Sequence, residues 1–315
     1  CECNTQHATL AMYFLKRLAY MIPLLLVISA MTFWLVHLAP GNPFARERAP
    51  ASPQIERNVR AKYHADEPIW KQYIRYMGGL AHGDFGPSIK YRDHSVTDIV
   101  HQAFPVSMLL GWLAFGFAMG VGLPVGFATA VRHGQWQDYA GSFLALLAVC
   151  IPGFVIAPLL VLGFAMKWKL LPVALWESPL HAVLPTIALG LYFAGKVARL
   201  FREGMLNTMQ MEFVTAARAK GLGENTLLLR HAVRLAVLPV VSYAGPMLAD
   251  LLTGSFVIEI IFQIPGLGVF FVNSSLNKDY MLTVGLALLY ATLLIVLNLA
   301  VDFAYMILDP RVKYE

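Results

Sequence analysis

Three carboxyl side chains stand inside long apolar runs of this chain: Asp250, Glu259 and Asp302. An ionisable group in hydrocarbon is expensive, so each marks either a polar pathway or a paired contact between helices. Asp250, near the middle of its run, is the candidate pathway residue, with an interhelical hydrogen bond as the alternative. Glu259 and Asp302 lie closer to the ends of their runs and read as structural. No series of relay carboxylates accompanies them, which weakens an ion-coupled secondary carrier.

Other chemistries find no footing. Nothing matches the phosphate-cradling G-x-x-x-x-G-K-[ST] loop, so the chain does not hydrolyse ATP by that device, and neither H-E-x-x-H nor a nucleophile elbow is present. Ser142, Ser242 and Ser255 lie in apolar runs, but His37, His133, His181 and His231 sit at run ends or in loops, which disfavours an intramembrane protease. Cys1, Cys3 and Cys150 make neither a disulfide framework nor a metal site, so we expect no catalytic, cofactor-binding or metal residue on this chain. The net charge of +5 could suggest nucleic acid, but the basic residues cluster at the ends of apolar runs without interleaved aromatics, which excludes that reading.

A second kind of chemistry, docking, is suggested by a polar and basic island between two apolar runs, Glu212 to Pro239. Phe213, Val214, Ala216, Ala217 and Ala219 predict a short helix, Arg218 and Lys220 suit its last turn, and Gly221 stands at the stop. Glu224, Asn225 and Thr226 offer starts for a second short helix carrying Leu227, Leu228, Leu229, Ala232 and Val233. Such a hairpin rests its apolar side on lipid or presents it to a partner protein; an ordinary basic loop is the plainer reading.

The elements that position these residues are membrane helices. With 58% hydrophobic and 14% charged residues among 315, and mean hydropathy +0.60, the chain is too apolar for a soluble domain. Six spans are expected, roughly 20–38, 104–131, 139–166, 180–197, 237–259 and 281–308. Glycines and prolines inside them, such as Pro124, Pro152, Gly153 and Pro246, fit close approach or bending. Trp34, Trp168, Trp176 and Tyr280 read as interfacial anchors. Residues 1–11, ahead of Met12, read as an extension outside the fold, and 12–38 as the N-terminal segment and first span.

Residues 39–103 form a charged, water-facing insert that we expect to be folded. It carries one amphipathic helix with Ile55, Val59 and Tyr63 and another after Pro68 with Ile69, Trp70, Tyr73, Ile74 and Met77, stopped by Gly78 and Gly79. The stretch His82 to Ser88 is rich in turn residues, and Ser95 with Asp98 has capping-box spacing. Twelve lysines and arginines, from Lys16 and Arg17 through Lys196 and the hairpin to Arg311 and Lys313, fall on one side of the membrane. Lys167, Lys169 and Lys278 fall on the other. That asymmetry places both termini and the hairpin in the cytoplasm and the insert outside.

Read with its flanks, the hairpin resembles the permease subunits of binding-protein-dependent ABC importers. Residues 12–315 look like the B-type permease of the oligopeptide and dipeptide systems, through LAPGNPF, AKYHADEP, LAHGDFGPS, FVTAARAKGLG, GSFVIEIIFQIPGLG and DPRVKY in that order. The family's cytoplasmic signature has Glu-Ala-Ala, three residues, then Gly; here Thr215, Ala216, Ala217 and Gly221 occupy it, and Leu238 and Pro239 match its later pair at a longer spacing. With Thr215 at the glutamate position, the resemblance carries over the role of the hairpin but not a coupling glutamate.

The resemblance implies an all-α, six-span permease core (104–315) in the bacterial inner membrane, with a coupling loop over 199–236. The ATPase-coupling residues would be Glu212, Thr215, Ala216, Ala217, Arg218, Lys220, Gly221 and Leu222. It also implies a homologous second permease, two separate ATPases holding ATP and Mg, and an extracytoplasmic peptide-binding protein that the insert would contact. Oligopeptide import is the leading expectation, with dipeptides, glutathione or nickel chelates as substrates within the same family. A membrane enzyme and a secondary carrier remain as disfavoured alternatives, the first for want of a placed nucleophile and base, the second also for want of an evident repeat.

Overall fold

A computed structural model describes residues 2–38, 66–91, 94–253 and 256–308. In chain order its helices are α1 (Glu2–Leu38), α2 (Ile69–Leu80), α3 (Val96–Val131), α4 (Trp136–Cys150) and α5 (Gly153–Leu160, continued as a π-wound stretch Val161–Lys167). After a 3₁₀ turn, Pro179–Ala182, come α6 (Val183–Met209), α7 (Glu212–Ala219) and α8 (Glu224–Thr226, Leu227–Ala232 and Val233–Ala236). The last four are α9 (Leu238–Thr253), α10 (Phe256–Ile261), α11 (Leu267–Leu276) and α12 (Tyr280–Leu308). The expected helix around Ile55, Val59 and Tyr63, the LAPGNPF and DPRVKY segments, Ser255 and the side chain of Asp302 lie outside the described residues.

Five stretches are long and apolar enough to cross a bilayer: Ala19–Leu38, Val96–Val131, Pro179–Met209, Leu238–Ile261 and Tyr280–Ala300. The span expected over 139–166 is not a single rod. It breaks between α4 and α5 with a bend of 104°. Pro152 supplies no N–H and pushes the preceding Ile151 into extended backbone (φ −89, ψ 119), so the helix stops at Cys150 and restarts at Gly153. Counting that bent pair as one gives six.

The chain divides into two compact units, Cys1–Phe104 with Val269–Ile295 and Pro105–Gly268 with Val296–Glu315. In the first, Phe33, Tyr76, Val284 and Leu288 form a small core. The α2 expectation locates the helix but mixes its faces: Ile69, Tyr73 and Met77 pack on that core, whereas Trp70 and Ile74 are exposed. The predicted capping box is present, with the Ser95 N–H donating to Asp98 and the Asp98 N–H donating to Ser95 Oγ at 3.1 Å. Asp279 was not anticipated. Its carboxylate accepts from the Ser88 hydroxyl and from the Ile89 and Lys90 N–H groups, and also caps the N-terminus of α12 at Leu282 N.

The second unit is built round α6, whose Leu184, Ala188, Phe193, Val197, Phe201 and Met205 enter one core with Leu110, Ala236 and Leu251. Small residues set the approach distances. A Cβ on Gly195 would collide with the Ala145 carbonyl of α4, and one on Gly204 with the Ala236 carbonyl of α8. At the α3–α4 turn, Asp138 accepts from Arg202 Nε at 2.7 Å and from the Gly134 N–H, tying that turn to α6.

Candidate functional site

The hairpin is rigid at its tip. Gly221 has φ +78, the Leu222 N–H donates to the Ala217 carbonyl and the Gly221 N–H to that of Arg218, a pairing that closes α7 as a Schellman cap. Arg218 spans the turn to Glu224 with two hydrogen bonds, 2.6 and 3.2 Å. This pair raises the Arg218 pKa and lowers that of Glu224, each chiefly through their mutual hydrogen bonds. Val214, Leu227 and Leu228 are buried and fasten the hairpin to the helices beneath it.

All eight residues predicted for docking lie on this element. Glu212, Thr215, Ala216, Arg218, Lys220, Gly221 and Leu222 are exposed and Ala217 is half-buried. Phe213 and Leu229 are exposed beside them, so the free surface is partly apolar. The second helix differs from the expected short one. It runs from Glu224 to Ala236 and continues, through the bonds Val237 N to Val233 O and Val241 N to Val237 O, into α9.

Asp250 projects from an uncovered stripe of α9 that also carries Pro239, Ser242 and Pro246 at helical spacing. Among the described residues its carboxylate takes no hydrogen bond and closes no ion pair. The interhelical hydrogen bond therefore finds no partner among the described residues, although Lys196 is near enough to exert a coulombic influence. Lys196, counted from sequence among the cytoplasmic charges, lies on α6, which continues past the expected end of the fourth span to Met209. Its ammonium lies 4.7 Å from the Tyr192 ring centroid and 5.5 Å from that of Tyr243.

Tyr192, Lys196, Arg199, Glu203 and Asn207, with Gln210 just past the helix end, recur at intervals of three and four along α6, a polar stripe that hydropathy averaging conceals. Its lower part, with Ser142 and Leu146 of α4, lines a cavity of about 470 Å³.

Glu259 is structural, as expected from its position, and its partners explain the PGLG segment. Fully buried, its carboxylate accepts from Ser107 Oγ at 2.8 Å and from the Gly268 N–H at 2.7 Å, while Ser107 Oγ accepts from the Leu267 N–H. A side chain on Gly266 would strike this carboxylate, and one on Gly268 would strike Phe256. The hydroxyls of Ser142 and Ser242 donate to Asp138 and to the Leu238 carbonyl respectively, so neither is paired with a histidine base.

Residues 122–314 match the family model described as binding-protein-dependent transport system inner membrane component, and residues 10–110 match the corresponding N-terminal model. The oligopeptide transport system permease protein OppB of Haemophilus influenzae is 42% identical over 304 residues, 96% of this chain and 99% of that protein. The dipeptide transport system permease protein DppB of Bacillus subtilis is also 42% identical, over 96% of this chain and 98% of its own length. Among solved structures, an inward-facing form of the MetNI methionine ABC transporter matches with a TM-score of 0.56 at 19% identity, covering 67% of this chain and 96% of the matched chain. An amino acid ABC transporter solved with histidines matches at 0.51 and 16% identity, covering 69% and 95%. These last two bear on fold alone.

Proposed function

The chain belongs to the inner-membrane components of binding-protein-dependent transport systems, and on that premise we propose that it is the permease subunit of an ATP-driven importer of oligopeptides. The observation that carries the mechanism is the hairpin: a capped, exposed helix turn fastened by Val214, Leu227 and Leu228 and continuous with α9. Its exposed residues Glu212, Thr215, Ala216, Arg218, Lys220, Gly221 and Leu222, with Ala217, dock in a groove of a separate ATPase. ATP and Mg are held by that partner, one of two, and its closure moves the hairpin and the spans together. A homologous second permease completes the pathway, Asp250 lines it, and an extracytoplasmic binding protein delivers the peptide to the face carrying the 39–103 insert. Both termini and the hairpin lie in the cytoplasm, as the lysine and arginine asymmetry supports. Dipeptides are the second reading, because a dipeptide permease is as similar to this chain as the oligopeptide ones.

The test is co-purification from native membrane of the intact chain and of a Gly221→Pro variant, followed by ATPase assay. Proline cannot adopt the positive φ of this position, so the tip must rearrange. An ATPase retained by the intact chain and lost by the variant is the expected result. Recovery of no ATPase with the intact chain refutes the importer reading; equal recovery with both refutes docking through the tip.

A further inference from the structure

Two charged residues on neighbouring helices, the exposed Asp250 and the half-buried Lys196, close no ion pair among the described residues. Asp250 stands on the uncovered stripe of α9, and Lys196 stands on the polar stripe of α6, its ammonium held over the rings of Tyr192 and Tyr243. Tyr192 belongs to α6 and Tyr243 to α9, so the cation sits in the angle between the helix that carries it and the helix that carries the acid. A charge on an apolar helix is retained where it meets water, a counter-charge or a substrate. Aromatic rings at this distance favour the ammonium.

We propose that Lys196 and Asp250 are the two poles of a peptide-contact site in the pathway, Lys196 receiving the free C-terminal carboxylate and Asp250 the free N-terminal ammonium of a zwitterionic peptide. This rests on the importer reading and deepens it. Opposite charges on adjacent helices match the one feature shared by unblocked peptides whatever their side chains, and the tyrosine rings beside Lys196 accept varied apolar side chains. Such contact is transient: an exposed carboxylate and a half-buried ammonium, each making one charge contact, attract without holding, as passage requires.

The experiment uses the complex of this chain with its co-purifying partners in lipid nanodiscs, without binding protein, with Cys1, Cys3 and Cys150 replaced by serine. Lys196→Cys and Asp250→Cys are labelled separately with a water-soluble methanethiosulfonate, in the presence of increasing trialanine, trialanine amide or N-acetyl-trialanine. Both thiols are expected to react and both to be protected by trialanine.

In the Asp250→Cys complex, where Lys196 remains, half-protection needs roughly tenfold more of the amide but no more of the acetyl form; in the Lys196→Cys complex the dependence reverses, tenfold being the effect of one contact of about 1.4 kcal/mol. Unreactive thiols would mean that the charges are covered by another chain, and this overturns the proposal. Labelling without protection, or without the crossover, overturns it equally. ATP hydrolysis by the same preparation is read alongside: a hydrolysing complex without the crossover sinks the contact site alone, whereas a preparation with no ATPase sinks the importer reading.

Discussion

Replacing Glu259 by alanine removes the acceptor for two buried donors, the Gly268 N–H and the Ser107 hydroxyl. Each donor left unsatisfied in a buried site costs about 1–3 kcal/mol, so the pair predicts a loss of about 2–6 kcal/mol. Relief from burying a carboxylate offsets part of this, which places the expected value in the lower half of that range. Glu259→Gln keeps the shape and one acceptor but turns an amide N–H₂ toward one of the two donors, so its cost is intermediate. Ser107→Ala leaves the Leu267 N–H without its acceptor and removes one bond from the carboxylate. Because Ser107 and Glu259 share a bond, the double variant must cost less than the two singles added. Thermal unfolding of the purified complex in detergent reads these differences, at about 2–4 °C per kcal/mol for a domain of this size. A Glu259→Ala shift below about 2 °C, or a double variant that is fully additive, refutes the reasoning.

Gly221 has open space around its missing Cβ, so Gly221→Ala is penalised only by its positive φ, roughly 1–2 kcal/mol. Amide exchange over Glu212–Gly223 should accelerate by about 5–30-fold, while Gly223→Ala, at an ordinary φ of −62, leaves it unchanged. Unaltered exchange in the Gly221 variant would show that the cap does not order the hairpin. The Arg218–Glu224 link should weaken in acid. The folded Glu224 pKa lies below its ordinary 4.5, so its contribution is present above that value and is lost as pH falls through the lowered one. A spin label introduced by Lys220→Cys should gain mobility over that interval and not in a Glu224→Gln background, where the charge is already absent; equal gains in both would remove the link from the account.

What could be read from the sequence was what short-range chemistry decides. Ser95 with Asp98, and Gly221 after Arg218 and Lys220, are signals whose partners lie within a few residues, and both caps form as their spacing predicts. The break at Ile151–Pro152 had its local signal too, since proline constrains the residue before it, but an apolar run of 28 residues conceals a corner as readily as it describes a rod. Asp279 and Glu259 were opaque for a different reason. Their partners Ser88 and Ser107 lie 191 and 152 residues away, and nothing in one sequence pairs a carboxyl with a distant serine. The expected fourth span ends at Val197, whereas the three-and-four recurrence from Tyr192 to Gln210 carries α6 on to Met209.

The continuity of α8 with α9 gives the hairpin a mechanical consequence that a pair of short helices would not have. A displacement of the tip enters α8 at Glu224, passes Val237 on hydrogen-bonded backbone, and reaches the stripe bearing Asp250 without crossing a flexible loop. Pro239 sits just past that joint, where its missing N–H allows a bend without breaking the run. At the same level α6 meets α8 backbone to backbone, since Gly204 leaves no room for a side chain beneath the Ala236 carbonyl. Packed backbones that close do not slide freely, so on the proposed reading a push on α8 also turns α6, and with it Lys196. The two charges therefore sit on helices clamped together at their hairpin ends, with Tyr192 and Tyr243 beside Lys196 further along. A small change in the angle between α6 and α9, pivoting at Gly204, would change the separation of Lys196 and Asp250 more than that of any pair nearer the hairpin. On the proposed reading, a movement applied at the hairpin opens and closes the gap between the two charges.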